Sequence, residues 1–165
     1  LFFIPFFAGR ICPSDAGFSG HWIGLKFYHG RAHMFKSIME SVGYEYRFYL
    51  KRIGEMFPRL EMKEVFTSAG GARSEEFIRI KANVLGLPFV QLLQKDTSHK
   101  AAAVIAGYGT GMFTDMAEAA AGMNAGHQGK TFVPDQVRAK RYGEQYRKYQ
   151  EIVGCLGRMH GKNIC

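Results

Sequence analysis

The sequence predicts a layered α/β domain, and three observations carry that prediction. Residues Glu64–Leu92 read as a strand, a glycine turn, a helix and a second strand. Short β-prone runs alternate with helical patterns elsewhere along the chain, without an internal repeat or a low-complexity segment. At 165 residues, with 47% hydrophobic and 14% aromatic content, the chain is one domain's worth of polypeptide and can bury a core.

The central unit is justified residue by residue. Val65, Phe66 and Thr67 are β-prone and few, as expected of a buried strand. Ala69-Gly70-Gly71-Ala72 follows, where two residues without a Cβ let the backbone turn and approach another group closely. Ser74 offers an N-cap oxygen, and Glu75 and Glu76 place negative charge in the first helical turn. Phe77, Ile80, Val84 and Leu85 recur at helical spacing; Gly86 ends the helix and Pro88 keeps it ended. Phe89-Val90-Gln91-Leu92 is the next strand. A strand feeding a helix through small residues exposes N–H groups and a flat approach surface, which suits a nucleotide. A glycine pair alone is more often a plain turn, so the order of its surroundings decides.

Taken in order, Leu1–Gly20 is broken by Pro5, Gly9, Pro13, Gly17 and Gly20, and predicts irregular structure with at most a short strand. His21–Leu25 predicts a short strand against the core. Ala32–Phe57 is the longest periodic segment, with Phe35, Ile38, Met39, Val42, Tyr46, Tyr49, Ile53 and Phe57 on one stripe taken as core, and Pro58 stops it. Asp96-Thr97-Ser98 supplies a cap for a helix from about His99 to Ala106, whose face of Ala101, Ala102, Ala103, Ala106 and Gly107 suits close packing. Thr114 is expected to cap a short helix Asp115–Ala121, and Gly122–Gly129 to form a loop. Phe132-Val133-Pro134-Asp135 leads into a last helix, Gln136–Gly154, with Val137, Tyr142, Tyr146 and Tyr149 on one side.

Charge and cysteine content narrow the function classes. The net charge of +8, from 22 Lys+Arg against 14 Asp+Glu, raises nucleic acid or an anionic ligand as partner. The cations are dispersed, and the densest run, Arg138–Lys148, is broken by Tyr, Gly and Glu and reads as a solvated helix face. No nucleic-acid reading motif is present, so no nucleic acid is expected. Cys12, Cys155 and Cys165 are odd in number and far apart, which fits a reduced, cytoplasmic protein. Leu1–Phe7 is too short to span a bilayer, and no membrane partner is expected. The chain starts without Met inside an apolar stretch and is expected to be part of a longer polypeptide.

Other constellations are weaker. His29 and His33 have the spacing of a helical two-histidine metal site, but Gly30 stands where the zinc-hydrolase pattern needs Glu. Packing and capping at a helix start are the expected roles, with His21 a remote third ligand. Asp15, Glu40, Asp96 and Asp115 are candidate acids; Asp96 reads as a cap or loop acid and Glu40 as a satisfied residue on the long helix. Arg10, framed by Gly9 and Pro13, could meet a phosphate or equally clamp backbone carbonyls. No catalytic base and no metal site is assigned.

Seven segments in one order carry a family resemblance. They are Leu1–Pro13, Gly20–Leu25, His29–His33 opening a helix through Ile38-Met39-Glu40-Ser41, Ala69–Ser74, Ile80–Pro88, Ala101–Gly107 and Phe132–Asp135. In this order they resemble the C-terminal domain of the FGGY carbohydrate kinases, xylulokinase-like members in particular. The resemblance implies the C-terminal half of an actin-like ATPase (ribonuclease H-like) fold, with a mixed sheet flanked by helices. It implies ATP and Mg2+ as cofactors, and a sugar substrate held through an N-terminal domain absent from these residues. Gly70, Gly71 and Ala72 would lie against the nucleotide as the adenosine motif, with Ser74 and Glu75 facing adenine or ribose. The charges of Glu75 and Glu76 would repel phosphates, so the adenosine end belongs here.

Departures from the family pattern are Ala69, where many relatives have Gly, and Lys36, where many carry Arg. The sugar site, the first phosphate loop and the aspartate base belong to the N-terminal domain, so this segment alone is expected to be inactive. The implied parent reaction is ATP-dependent phosphorylation of D-xylulose to D-xylulose 5-phosphate. An alternative is a non-catalytic nucleotide-binding or regulatory half-fold module acting through a protein partner or as a homodimer.

Overall fold

The computed structural model describes residues 1–93, 97–124 and 128–159. The elements are β1 (Phe2–Ile4), β2 (His21–Ile23), α1 (Arg31–Met56), β3 (Val65–Thr67), a 3-10 turn (Ala69–Ala72), α2 (Glu75–Leu85), β4 (Phe89–Leu92), α3 (Thr97–Gly109), α4 (Met116–Asn124), β5 (Gln128–Phe132) and α5 (Gln136–Met159). They fall into two units. The first holds residues 1–61, 80–86 and those from Pro134 onward; the second holds 62–79 and 87–133.

In the first unit β1 and β2 pair antiparallel, with Phe3 opposite Trp22. Between them the chain folds back on itself: Arg10 and Asp15 exchange both backbone hydrogen bonds at 2.8 Å. Gly9 is required there, because at φ +81° a Cβ would lie 2.8 Å from the backbone of Ala16. The apolar core joins Ile4, Phe6 and Phe18 to Tyr44 of α1, Ile80 and Val84 of α2, and Tyr146, Tyr149, Val153 and Leu156 of α5. Asn83 Oδ1 accepts the Asp135 N–H at 2.8 Å, and Asp135 Oδ1 in turn caps α5 through the Arg138 N–H at 2.9 Å.

The long helix occurs where its periodicity places it, but the buried face differs from the expected stripe. Phe35, Tyr46 and Phe57 are exposed, and the buried residues are Ser37, Ser41, Gly43, Tyr44 and Glu45. Small and polar groups win this face for two reasons. A Cβ on Gly43 would come 3.2 Å from the Val84 side chain, so a larger residue would push α2 away. The two serines return their hydroxyls to the helix, to the carbonyls of Met34 and Ile38 at 2.7 Å, and bury no open donor. On α5, Tyr146 and Tyr149 are buried as expected while Val137 is exposed. The cations of Arg138–Lys148 are all exposed, as a solvated face requires.

The second unit holds a mixed three-stranded sheet of order β3-β4-β5, with β3 parallel to β4 and β4 antiparallel to β5. The parallel pair needs a crossover, which α2 supplies. The expected buried strand at Val65–Thr67 is an edge, and Phe66 on it is half exposed. In place of the expected loop over Gly122–Gly129, α4 continues to Asn124 and β5 starts at Gln128. The strand is polar and short, and backbone pairing to β4 holds it rather than an apolar pattern. Gly129 fits because a Cβ would lie 2.8 Å from the Leu93 side chain.

Asp115, not Thr114, caps α4, through its Oδ1 on the Glu118 N–H at 2.8 Å. On α3 the alanines are exposed, and Val104 and Gly107 are the buried residues. Gly107 leaves room for the Phe113 ring, which sits where a Cβ would be. The expected cap residue Asp96 and the third cysteine, Cys165, lie outside the described residues.

Candidate functional site

The site is built where β3 runs into α2. Ser68 is extended, Ala69 enters the left-handed region at φ +58°, and Gly70–Ala72 wind one 3-10 turn closed by the Arg73 N–H on the Gly70 carbonyl. Gln91 on β4 holds the turn against the sheet by donating from Nε2 to the Ala72 carbonyl at 2.7 Å. Ser68 Oγ and Thr97 Oγ1, 3.2 Å apart, tie its other end to the start of α3. Ser74 then caps α2, its Oγ accepting the Phe77 N–H at 3.2 Å.

Gly70, Gly71, Ala72, Ser74 and Glu75 thus form one continuous surface-to-core step. Ala72 is buried, and Gly70, Ser74 and Glu75 are exposed. Nothing lies within 4 Å of where a Gly70 Cβ would be, so the peptide edge there is open to a flat group. Glu75 is engaged by two cations: Lys130 Nζ from β5 lies 3.0 and 3.2 Å from its two oxygens, and Arg79 NH2 lies 3.0 Å from Oε2. Hydrogen bonds from Lys130 and then Arg79 hold the carboxyl below the ordinary carboxylate range. The Glu75 carboxylate is thus paired on both sides at the start of α2. Both cations also stand over the Phe132 ring, at 5.1 and 5.3 Å.

Sequence reading missed Lys130, Gln91 and Thr97. The Glu75–Arg79 pair was legible as an i,i+4 spacing. Lys130 and Gln91 reach the turn only through the pairing of β3, β4 and β5, which no local pattern announces.

The remaining candidates are occupied structurally. His29 Nδ1 accepts the Lys26 N–H at 2.9 Å and His33 Nδ1 the Gly30 N–H at 3.2 Å, the capping role expected at the start of α1. No group of three or more His, Cys, Asp and Glu able to hold a metal occurs among the described residues. Asp15 Oδ1 accepts the Gly17 N–H, and Glu40 accepts the Tyr142 hydroxyl at 2.8 Å beside Lys36. Among the described residues Arg10 clamps no carbonyl. It is buried over the Phe48 ring with Glu45 at 3.7 Å. Its expected carbonyl-clamping role falls instead to Arg47, which donates to the Val84 carbonyl at 2.8 Å. No described helix is long and apolar enough to cross a membrane.

Residues 1–110 match the FGGY family of carbohydrate kinases, C-terminal domain. The L-xylulose/3-keto-L-gulonate kinase of Escherichia coli is 29% identical over 164 residues, 98% of this chain and 31% of that protein. The xylulose kinase of Lactococcus lactis is 24% identical over 153 residues, 92% of this chain and 30% of that protein. The crystal structure of xylulose kinase from Rhodospirillum rubrum superposes with a TM-score of 0.80 at 26% identity, covering 98% of this chain and 32% of that one. The chain thus spans about a third of the length of the relatives it matches.

Proposed function

The chain belongs to the FGGY family of carbohydrate kinases and has the C-terminal half of their actin-like ATPase fold, and from this premise we propose that it forms the adenosine-binding lobe of a sugar kinase. The observation that carries the reading is the open peptide edge at Gly70, held between the Gln91 clamp on Ala72 and the Ser74 cap of α2. Gly70 and Gly71 take the flat face of adenine. Ser74 and Glu75 face the ribose, and the cations on Glu75 keep this helix start from repelling the rest of the nucleotide.

In this reading the parent enzyme transfers the γ-phosphoryl of ATP to a ketose hydroxyl, with D-xylulose giving D-xylulose 5-phosphate as the favoured reaction. A companion N-terminal domain supplies the sugar pocket, the base and the phosphate loop. Mg2+ enters only as the partner of the ATP phosphates, since the carboxylate of the turn is already engaged by Lys130 and Arg79. Without the companion domain the lobe does not turn over, and its setting is the cytoplasm.

A second reading keeps the lobe and drops the chemistry: a nucleotide-binding module acting through a protein partner or as a homodimer. It is favoured by exposed large apolar side chains of the first unit, among them Phe7, Ile11, Phe27 and Phe35. Titration of the chain with ATP and ADP, together with a coupled ADP-release assay on D-xylulose, separates the two. Sugar-dependent ADP release from the parent polypeptide establishes the kinase. Nucleotide binding without release from any polypeptide containing this chain establishes the module, and no nucleotide binding rejects both.

A further inference from the structure

A cavity of about 150 Å3 lies in the first unit, between the Arg10 loop, α1 and α5, and involves no residue of the glycine turn. Its walls include the side chains of Arg10, Glu45, Phe48, Arg52, Tyr146 and Tyr149, with the exposed Gln150 beside them. Three polar atoms of these residues, Arg10 Nε, Glu45 Oε2 and the Tyr146 hydroxyl, are buried and have no hydrogen-bond partner among the described residues. Arg10 is 5% and Tyr146 6% exposed, so bulk water does not serve them. The Arg10–Glu45 separation of 3.7 Å is too long for a hydrogen bond. The other carboxylate oxygen, Oε1, is already taken by Tyr149 at 2.9 Å.

Three unmet groups at one cavity define what would complete it. Arg10 Nε–H and the Tyr146 hydroxyl offer donors, and Glu45 Oε2 needs one. The charges of Arg10 and Glu45 offset each other, and that of Arg52 is paired with Glu55 at 3.0 Å, so an anion would meet Glu45 and a cation would meet Arg10; a neutral group is favoured. A carboxamide presents an acceptor and a donor on neighbouring atoms in one plane. The remaining surface is largely apolar, from Phe48, the tyrosine rings and Val153, and the volume is close to that of an apolar cavity known to accept a benzene ring. We propose that this cavity is a binding site for a small neutral aromatic carboxamide, whose C=O accepts from Arg10 and Tyr146 and whose NH2 donates to Glu45.

The test uses the full chain and three probes of one shape: benzamide, benzoate and toluene. Each is titrated while the ring resonances of Tyr146 are followed by NMR. Benzamide is expected to bind saturably, with a dissociation constant in the millimolar range, and to shift those resonances. Tyr146→Phe, which keeps the ring and removes the donor, should weaken benzamide about tenfold and leave toluene unaffected. The comparison among probes on the unaltered chain needs no variant to fold. Benzoate binding as tightly as benzamide would make this an anion site, and toluene binding as tightly would make it a plain apolar cavity. No saturable binding up to the solubility of benzamide would leave the three groups to ordered water. Each of these three results overturns the proposal.

Discussion

The Tyr149 hydroxyl donates to Glu45 Oε1 at 2.9 Å, a bond between α5 and α1 that spans 104 residues of sequence. Both groups sit in the core of the first unit, and each fixes the protonation of the other. Burial pushes the Glu45 carboxyl up, while the Arg10 guanidinium and the Tyr149 hydrogen bond pull it back. Burial and the adjacent carboxylate drive the Tyr149 phenol far above its ordinary range. Tyr149 therefore keeps its proton and donates this bond at neutral pH.

That balance predicts a pH dependence with a definite sign. A carboxyl raised in the folded state binds more protons folded than unfolded, so its contribution to stability falls as pH rises. The contribution is fully present below the unfolded value near 4.5 and is lost as pH climbs through the folded one. Subtracting the stability profile of Glu45→Gln from that of the unaltered chain should give a difference that declines across this window. Tyr149→Phe should cost about 1.5–3 kcal/mol at neutral pH, because it strips a buried carboxylate of its donor, and should raise the Glu45 pKa seen by carboxyl-carbon NMR. A flat difference profile would show that Glu45 titrates as a solvated group.

Arg47 closes the C-terminal end of α2 by donating to the Val84 carbonyl, one of the last-turn acceptors a helix cannot satisfy itself. Its guanidinium also lies over the Tyr146 ring at 5.0 Å. Arg47→Met should lower stability by about 1–3 kcal/mol through the orphaned carbonyl, shifting the urea midpoint with an unchanged slope. Arg47→Lys should recover only part, since an ammonium lacks the planar fork that stacks and donates together. Full recovery by Lys would mean that charge alone matters at this position.

The order and kinds of element were legible because they rest on local signals. Ser74, Gly86 and Pro88 bracket α2 in sequence as in structure, and Gly86 takes φ +72° where a stop was expected. What escaped depends on contacts between distant residues. The buried face of α1 follows from the approach of Val84 to Gly43, so Phe35, Tyr46 and Phe57 look like core in sequence and are exposed in the structure. Strand β5 carries Lys130 and Thr131 in a polar run and exists through pairing with β4. The turn that anchors the site was readable from its glycines, whereas its clamp, Gln91, and the cation on Glu75, Lys130, were not.

Ala69 carries a backbone cost that composition alone understates. At φ +58° the residue sits where a Cβ crowds the following carbonyl. An L-residue in this region is penalised by about 1–2 kcal/mol relative to glycine. Glycine gives back about 0.4–1 kcal/mol through the freedom of the unfolded chain. Ala69→Gly should therefore stabilise by up to about 1.5 kcal/mol, the difference of those two terms, read as a higher melting temperature. A lower melting temperature would show that the turn relaxes out of the left-handed region.

Lys130 sets the charge of Glu75 from outside the helix. Lys130→Met should move the Glu75 pKa upward toward 4.5, with Arg79 retaining part of the depression. A carboxyl depressed in the folded state contributes stability above its unfolded pKa and loses it as pH falls through the folded value. The acid limb of the stability curve should accordingly be shallower in the variant. Carboxyl-carbon NMR of Glu75 checks this directly; an unmoved pKa would mean that Arg79 alone carries the pairing.

Gly70 offers the sharpest separation of ligand approach from fold. A side chain there meets no neighbouring atom within 4 Å, and its φ lies outside the left-handed region, so the chain itself has no need of glycine. If the peptide edge is where an adenine plane rests, a side chain should matter only when the nucleotide arrives. Gly70→Val should leave the melting midpoint within the roughly 0.5 kcal/mol expected of a surface change and weaken ATP and ADP binding by about tenfold or more, the effect of losing at least 1.4 kcal/mol of contact. Gly107→Val is the control of opposite kind, since its Cβ would collide with the Phe113 ring and lower stability wherever the ligand binds. Nucleotide affinity that survives Gly70→Val unchanged would move the adenosine contact away from this turn, however well the fold matches its relatives.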